Sequence, residues 1–422
     1  MEKDSVTPAT ARTPRELARL PRAQALFYGA VLRLVELTGA WKYPIRASGD
    51  YESMKLRDIL YWLHKAEHHV VRPERGSNLR AYFDAHSDVR WSLPERFEVE
   101  QELSISAVGD LMNHEYLLRS HGLYRHVTDE IFGADLPMGN LECVVLDEPS
   151  ETPRFDGKTA PRLRIGTADL DMLSTHEGRS YAFLSAACNH SLDFGAEGAY
   201  STAAALRSRG IASHGINETA GEAGRAQILE KHGITVAVLS HTFGLNAWMP
   251  PSDQPWIVNR TRLNEPLEML DLSSIDQHIE HARSAGADFI IAQLHWGMEF
   301  EHYPRPAQLD VAHTLAERGI DAIFGHHPHV LQPVEHYRTR RDPARVVPIF
   351  YSLGNLTNPF LDPRLCRSLV ARVELTKGRS ADGVSRTYAR HAGARTVIQT
   401  VDTKTRRIEL RMSEATPSTG GN

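Results

Sequence analysis

The period of the hydrophobic pattern changes once along the chain. From residue 13 to about 95, apolar positions recur at helical spacing. Thr13-Pro14-Arg15-Glu16 has the form of a capping box, with proline at the first helical position. Leu26, Phe27, Ala30, Val31, Leu34 and Val35 form one stripe that stops near Gly39, where glycine suits a helix end. Met54, Leu56, Ile59, Leu60 and Leu63 predict a second helix. Ser77 is placed to cap a third, with Leu79, Tyr82, Phe83 and His86 on one face. No strand pattern interrupts this stretch, so residues 1–95 are expected to form an N-terminal helical unit. The polar ends, 1–12 and 413–422, read as tails.

Beyond Leu103 short apolar runs alternate with helical ones. Strands are predicted at 103–108, 182–186, 234–239, 289–294, 322–324 and 348–351, and helices at 196–209, 222–231, 273–284 and 306–318. After Arg367 the helical period fades. LVARVEL and RTVIQTVDTKTRRIELRM read as antiparallel strands, the second turning at Thr403-Lys404. The alternation defines an α/β domain over 96–412, with a flexible tail at 413–422.

Composition narrows the function classes. The 422 residues are 41% hydrophobic and carry a formal charge of −5, which gives no electrostatic footprint for nucleic acid or an acidic membrane. The three cysteines, Cys143, Cys188 and Cys366, form no CxxC pair and no disulfide framework, as expected of a reducing compartment. No apolar signal core opens the chain and no run of roughly 18 apolar residues occurs, so a cytoplasmic protein is expected.

Polar clusters follow the predicted strands: Gly109-Asp110-Leu111-Met112-Asn113, Gly139-Asn140-Leu141-Glu142, Asn189-His190-Ser191-Leu192-Asp193, His295-Trp296-Gly297, Gly325-His326-His327-Pro328-His329 and Tyr351-Ser352-Leu353-Gly354-Asn355. In α/β sheets ligands bind beyond the carboxyl ends of strands. A capping Asp or a core His explains any one cluster; their recurrence at the same structural position points to a joint metal site. Carboxylates, an Asn oxygen and imidazoles suit Mn, Fe, Zn, Ca or Mg better than a thiolate-bound ion. His327 and His329, two apart in a turn, can reach one ion, with His326 pointing elsewhere.

In order and spacing these motifs resemble the CapA-type proteins of poly-γ-glutamate synthesis, within the calcineurin-like metallophosphoesterase superfamily. The resemblance covers roughly 103–360 and implies a four-layer αββα sandwich with a metal site at one edge. It implies Asp110, Glu142, Asn189, His327 and His329 as ligands of a divalent ion (Mn, Mg, Ca or Zn), with Glu142 bridging. His190 lies beside the reaction centre, and His295 is ligand or acid/base. Two departures weaken a two-metal hydrolase: Met112 stands where a ligating His is usual, and Glu142 replaces an Asp. In motif set, cytoplasmic character and size the chain is also similar to the MslH-type epimerases of lasso-peptide pathways. That implies metal-dependent inversion of the Cα of the C-terminal Trp of a ribosomal precursor peptide.

Epimerisation needs two acid/base groups flanking Cα. His295 is the candidate on the metal side. His86, on a face with Tyr82 and Phe83, is expected to be its partner, the aromatics holding an indole. Trp296 is expected to shape the pocket, His68 and His69 to be solvated, and 247–256 to form a stiff rim. Two other readings stand: a CapA-type phosphoesterase or poly-γ-glutamate synthesis protein, and a binding module whose ion only holds loops. For the former, Arg162 and Arg164 are the available phosphate-binding groups.

Overall fold

The computed structural model describes residues 22–39, 49–86, 89–149 and 161–414. The capping box at 13–16, Trp41 and the tail segments 1–12 and 415–422 lie outside them. Three helices come first: α1 (Arg22–Thr38), α2 (Leu56–Lys65) and α3 (Leu79–His86). The strands that follow are β1 (Glu98–Leu111), β2 (Leu136–Leu141), β3 (Val144–Val145), β4 (Arg164–Ile165), β5 (Thr175–His176), β6 (Arg179–Ser180), β7 (Phe183–Ser185), β8 (Ala212–His214) and β9 (Gln227–Lys231). The series continues with β10 (Ile234–Thr242), β11 (Phe289–His295), β12 (Ala322–His326), β13 (Val334–Arg338), β14 (Val346–Phe350), β15 (Asn355–Thr357), β16 (Arg367–Arg379), β17 (Ser385–Asp402) and β18 (Arg407–Met412). Between them run α4 (Thr128–Phe132), α5 (Thr167–Ser174), α6 (Gly195–Ser208), α7 (Ser273–Ser284) and α8 (Pro306–Arg318).

One mixed sheet has the order β18-β17-β16-β1-β2-β7-β8, with β15 beside β1; the other has the order β13-β14-β12-β11-β10-β9. Their inner faces share a core in which Leu103, Ile105, Met138 and Phe183 meet Val236, Phe289, Ile291 and Phe324. The outer face of the six-stranded sheet is covered by α7 and α8 through Ile275, Ile279, Val311 and Leu315. On the other sheet the outer face packs against Ile131, Leu170 and Leu206 from α4, α5 and α6. This is the four-layer αββα sandwich. Strands β10, β11, β12 and β14 run parallel. Burial on both faces explains their continuous apolar runs.

One predicted helix is wrong. Residues 222–231 contain good helix formers, yet Gln227–Lys231 is β9. Lys231 pairs with Ile234, and both residues of the connecting turn have positive φ, His232 at 52° and Gly233 at 73°. This two-residue turn matches the twist of a hairpin, so pairing with β10 overrides helix propensity.

Two of the N-terminal helices, α2 and α3, lie directly on the sandwich. Leu79 and Phe83 of α3 enter the core beneath α7 and α8. The side chains of α2 reach the loop after β11, where Tyr61 Oη donates to Glu301 Oε1 at 3.1 Å and Lys65 Nζ to the same oxygen at 3.3 Å. Ser77 does not cap α3 with its hydroxyl, which donates to Glu74 O at 2.6 Å.

Candidate metal centre

Parallel register brings the site together. Asp110 is level with Asn140 on β2 and with Asn355 on β15, and His295 is level with His326 across β11 and β12. Asp110, Asn140, His295 and His326 stand at carboxyl ends of strands and Asn355 opens β15, on one edge of the two sheets. The pairing of β1 shifts register beside Asp110; such irregularities re-aim side chains next to active sites. Close backbone packing at two glycines maintains the edge. A Cβ at Gly109 would lie 2.0 Å from Gly354 O, and one at Gly325 2.0 Å from Tyr351 O.

Asp110 accepts from Asn140 Nδ2 at 2.9 Å and from the His327 amide at 3.2 Å. His326 Nδ1 lies 3.0 Å from Asp110 Oδ1, while its Nε2 faces Gln293 Oε1 at 2.7 Å. His326 therefore turns away from the other two imidazoles and holds the aspartate instead. His329 Nδ1 meets Asn355 Oδ1 at 2.9 Å, leaving Nε2 3.6 Å from Glu142 Oε1. His327 and His329 both have positive φ, 95° and 59°. Non-glycine residues are held so at a cost of order 1–3 kcal/mol, which clusters at functional sites.

The electrostatics call for a cation. Glu142 is fully buried, and neither carboxylate oxygen has a hydrogen-bond partner among the described residues. Burial, then the neighbouring Asp110 carboxylate, push its pKa well above the usual range. Burial also opposes ionisation of Asp110, but the hydrogen bond and proximity of His326, with His329 and Asn140, hold that carboxyl below the usual range. His295 and His327 are held neutral, by burial first and then by neighbouring imidazoles. Donor atoms of Glu142, His327 and His329 lie within 4.8 Å of one another, as do those of Asp110, Glu142 and His295. Orphaned carboxylate oxygens beside neutral imidazoles fit a divalent ion.

Asn189 joins through its Oδ1, 2.9 Å from His295 Nε2, while its Nδ2 donates to Asn246 Oδ1 at 3.1 Å. His295 has no side-chain exposure. His190 lines a small cavity of about 40 Å³ above the cluster, together with Met112, His327 and Trp62. Its Nδ1 is 2.7 Å from Asp193 Oδ2.

His86 does not come to this edge. Its ring stacks on Tyr82 at 4.2 Å between centroids and its Nδ1 lies 2.8 Å from Tyr82 O. Tyr82 in turn donates to Glu335 on β13, and Phe83 packs on Tyr303 and Tyr351. The aromatic face of α3 is thus spent on the outer core. The helical segment that reaches the metal edge is the neighbourhood of α2, which contributes Tyr51 and Trp62 to the cavity wall. Trp62 Nε1 donates to Glu299 Oε2. Trp296 is a core residue: it is fully buried, and its Nε1 donates to Tyr351 O at 3.1 Å. His69 is buried, not solvated, stacked 5.5 Å from Phe300, and burial lowers its pKa to about 3. Within 247–256, Trp248 is only partly buried and lies under the Arg162 guanidinium at 4.5 Å. Arg164 is committed to the carbonyls of Leu146 and Asp147.

Sequence reasoning did not assign roles to Asn140, Asn355, Gln293, Glu299 or Trp62. The first two stood inside motifs already singled out, and reading strand register across Asp110 would have placed them. Nothing local marks Gln293, Glu299 or Trp62, which act across sheet and helix contacts.

A two-sheet sandwich with a carboxylate–imidazole cluster at one edge defines a metallophosphoesterase-like protein. A family described as bacterial capsule synthesis protein PGA_cap matches residues 104–359, and the chain belongs to it. The chain is 26% identical over 269 residues to the capsule biosynthesis protein CapA of Bacillus anthracis, covering 62% of this chain and 61% of that protein. It is 25% identical over 261 residues to the PGA biosynthesis protein CapA of Bacillus subtilis strain 168, covering 60% and 62%. A probable polyglutamine synthesis accessory protein of Mycobacterium tuberculosis is 28% identical over 179 residues, 41% of this chain and 44% of that one. The chain thus spans about three fifths of the length of the two CapA proteins. No helix among the described residues is long and apolar enough to cross a membrane.

Proposed function

We propose that this member of the family is a metal-dependent epimerase that inverts the Cα of the C-terminal Trp of a ribosomal lasso precursor peptide. The observation that carries the reading is His190: an imidazole on the cavity wall, backed by Asp193, beside a buried cluster suited to one cation. Asp110, Glu142, His327 and His329 would hold the ion, with Asn189 and the enclosed His295 completing its surroundings. When bound, a divalent ion supplies electrostatic stabilisation of negative charge developing on the substrate's carbonyl or carboxylate oxygen.

The protein's own part is proton handling and exclusion of water. His190 accepts the Cα proton, its orientation and imidazolium form supported by Asp193. Tyr51 lines the same cavity, and burial, then the Glu299 carboxylate, keep its phenol protonated. It takes the place sought in His86 as the group that returns a proton. Trp62 and Phe360 supply apolar wall. The reading places the chain in the cytoplasm, consistent with three buried, unpaired cysteines.

The second reading, a poly-γ-glutamate synthesis protein, is favoured by the names of the relatives. A phosphoesterase is less well served: Met112 is buried on the cavity wall, and Arg164 is engaged elsewhere. The test is incubation with Mn²⁺ and a Trp-terminated peptide in D₂O. The epimerase reading expects one deuterium at Cα and a D-residue after hydrolysis; phosphate release from a model ester without exchange would replace it with a phosphoesterase. His190→Asn is expected to lower exchange at least about 100-fold, the usual scale for a general acid or base, with metal content unchanged. His295→Ala is expected to lose bound metal and exchange together. Wild-type exchange in His190→Asn would remove that residue from the chemistry.

A further inference from the structure

A second, larger cavity adjoins the metal centre. Its volume is about 440 Å³, within the range of small-ligand pockets (roughly 300–1,000 Å³). Gly49 lines both this cavity and the one above the cluster, so the two abut there. Phe243 stands at the same junction: it lines the larger cavity, and its ring lies 4.5 Å from that of His327.

Gln308, at the start of α8, is the feature that asks for a ligand. It lines this cavity and is only 4% exposed, yet neither its amide nitrogen nor its amide oxygen has a hydrogen-bond partner among the described residues. A buried polar group left unpaired costs about 1–3 kcal/mol, so natural structures seldom leave both ends of a carboxamide empty without cause. The adjacent Asn264 shows the pairing such a side chain can make. Its Nδ2 donates to Gly297 O at 2.8 Å, and its Oδ1 accepts from Gly297 N at 2.6 Å. One carboxamide thus satisfies both polar groups of one backbone residue. Gln308 carries the same donor and acceptor at the cavity wall, against the same Gly297: a Cβ there would sit 3.2 Å from each amide atom.

The rest of the wall selects the ligand class. Phe243, Leu263, Met298 and Met269 give an apolar surface, and methionine adapts to varied side chains. The charges argue against a phosphorylated ligand. Arg305 is neutralised by Glu301 and Glu74, and Arg262 by Glu265. Glu268 adds further negative charge to the wall, and Asp50 is paired with Arg260 at 3.1 Å.

We propose that this cavity binds the backbone and one side chain of a peptide segment adjoining the reacting residue, with Gln308 pairing the N–H and C=O of one residue of that segment. The proposal rests on the peptide-substrate reading above. It is tested on the full chain with a short synthetic Trp-terminated peptide and with N-acetyl-tryptophan, which is too small to span both cavities. In Gln308→Leu, KM and the directly titrated Kd for the peptide are expected to rise about tenfold, the scale of losing a paired hydrogen bond. The turnover number and metal content should stay within twofold, and the constants for N-acetyl-tryptophan should not move. Met269→Asp, at an exposed rim position, should weaken the peptide several-fold without risk to folding. Equal effects on both ligands, or none on the peptide, would overturn the proposal. The titration separates the two claims: peptide binding that depends on Gln308, without proton exchange, keeps the subsite and discards the epimerase, whereas no binding of peptide by the wild type discards the subsite.

Discussion

Glu142→Gln is expected to abolish metal binding and activity while raising the melting temperature of the metal-free protein. The two effects have one cause. Glu142 is buried, has no hydrogen-bond donor on either oxygen among the described residues, and lies close enough to Asp110 for their charges to repel. A buried charge without a partner is strongly destabilising. The folded carboxyl titrates above its unfolded value, so without metal the cost grows as pH rises past the ordinary Glu range near 4.3. An amide of the same shape removes the repulsion, and its nitrogen can donate to Asp110. Metal affinity should fall at least 100-fold, on the order of 3 kcal/mol for a lost charged ligand. In a chelator at pH 7.5 the variant should melt about 2 °C or more above the wild type, the shift expected for a gain of roughly 1 kcal/mol. A metal-free variant that melts below the metal-free wild type would mean that the carboxylate is not strained by its surroundings. Retained metal would remove it from the ligand set.

The same contrast between local pattern and long-range placement decided what could be read from the sequence. Predicted helices at 273–284 and 306–318 coincide with α7 and α8, because an amphipathic stripe over a sheet is a local signal. The strand runs of the parallel sheets were equally plain, being apolar on both faces. The five expected ligands, Asp110, Glu142, Asn189, His327 and His329, lie at one edge because strand ends and loops in this topology converge there. What failed depended on packing partners that the period of one segment does not show, most of them distant in sequence. Gln227–Lys231 is a strand because β10 is beside it. His86 belongs to the outer core because Glu335, more than two hundred residues later, captures Tyr82. Trp296 lies in the core and Trp62 at the metal edge for a similar reason. The first lies beneath Gly325, where only a glycine admits its indole, and the second is carried over the metal edge by α2, whose Tyr61 and Lys65 are anchored on Glu301.

Acid should destabilise the fold steeply, through histidines far from the metal. His214, His241 and His278 form a buried set beneath α7: His241 Nε2 lies 3.0 Å from His278 Nδ1, and the His214 and His278 rings meet edge-on at 4.9 Å. Their other partners are uncharged: Thr261 on His241, and the Ser240 amide and Arg225 carbonyl on His214. Among the described residues no carboxylate is bonded to these rings to compensate a proton placed there. Burial, partly offset by those backbone bonds, brings His214 down to about 4; burial, then His214, brings His278 to about 3. His241 shifts the same way, through burial and then His278. An unfolded histidine titrates near 6.5. Above that value both states are neutral and pH has no effect through these groups. As pH falls below it, the unfolded chain takes protons that the fold refuses, so stability drops until the folded values are reached. At pH 5, His214 and His278 together remove about 4 kcal/mol relative to pH 8, a large part of the 5–15 kcal/mol typical of a folded protein. Denaturant midpoints at the two pH values measure this. His278→Gln should recover about 2 kcal/mol of the drop, since it takes one titrating ring out of the set and relieves its neighbours. A midpoint flat from pH 8 to 5, or an unchanged drop in the variant, would show that these rings accept protons in the folded state.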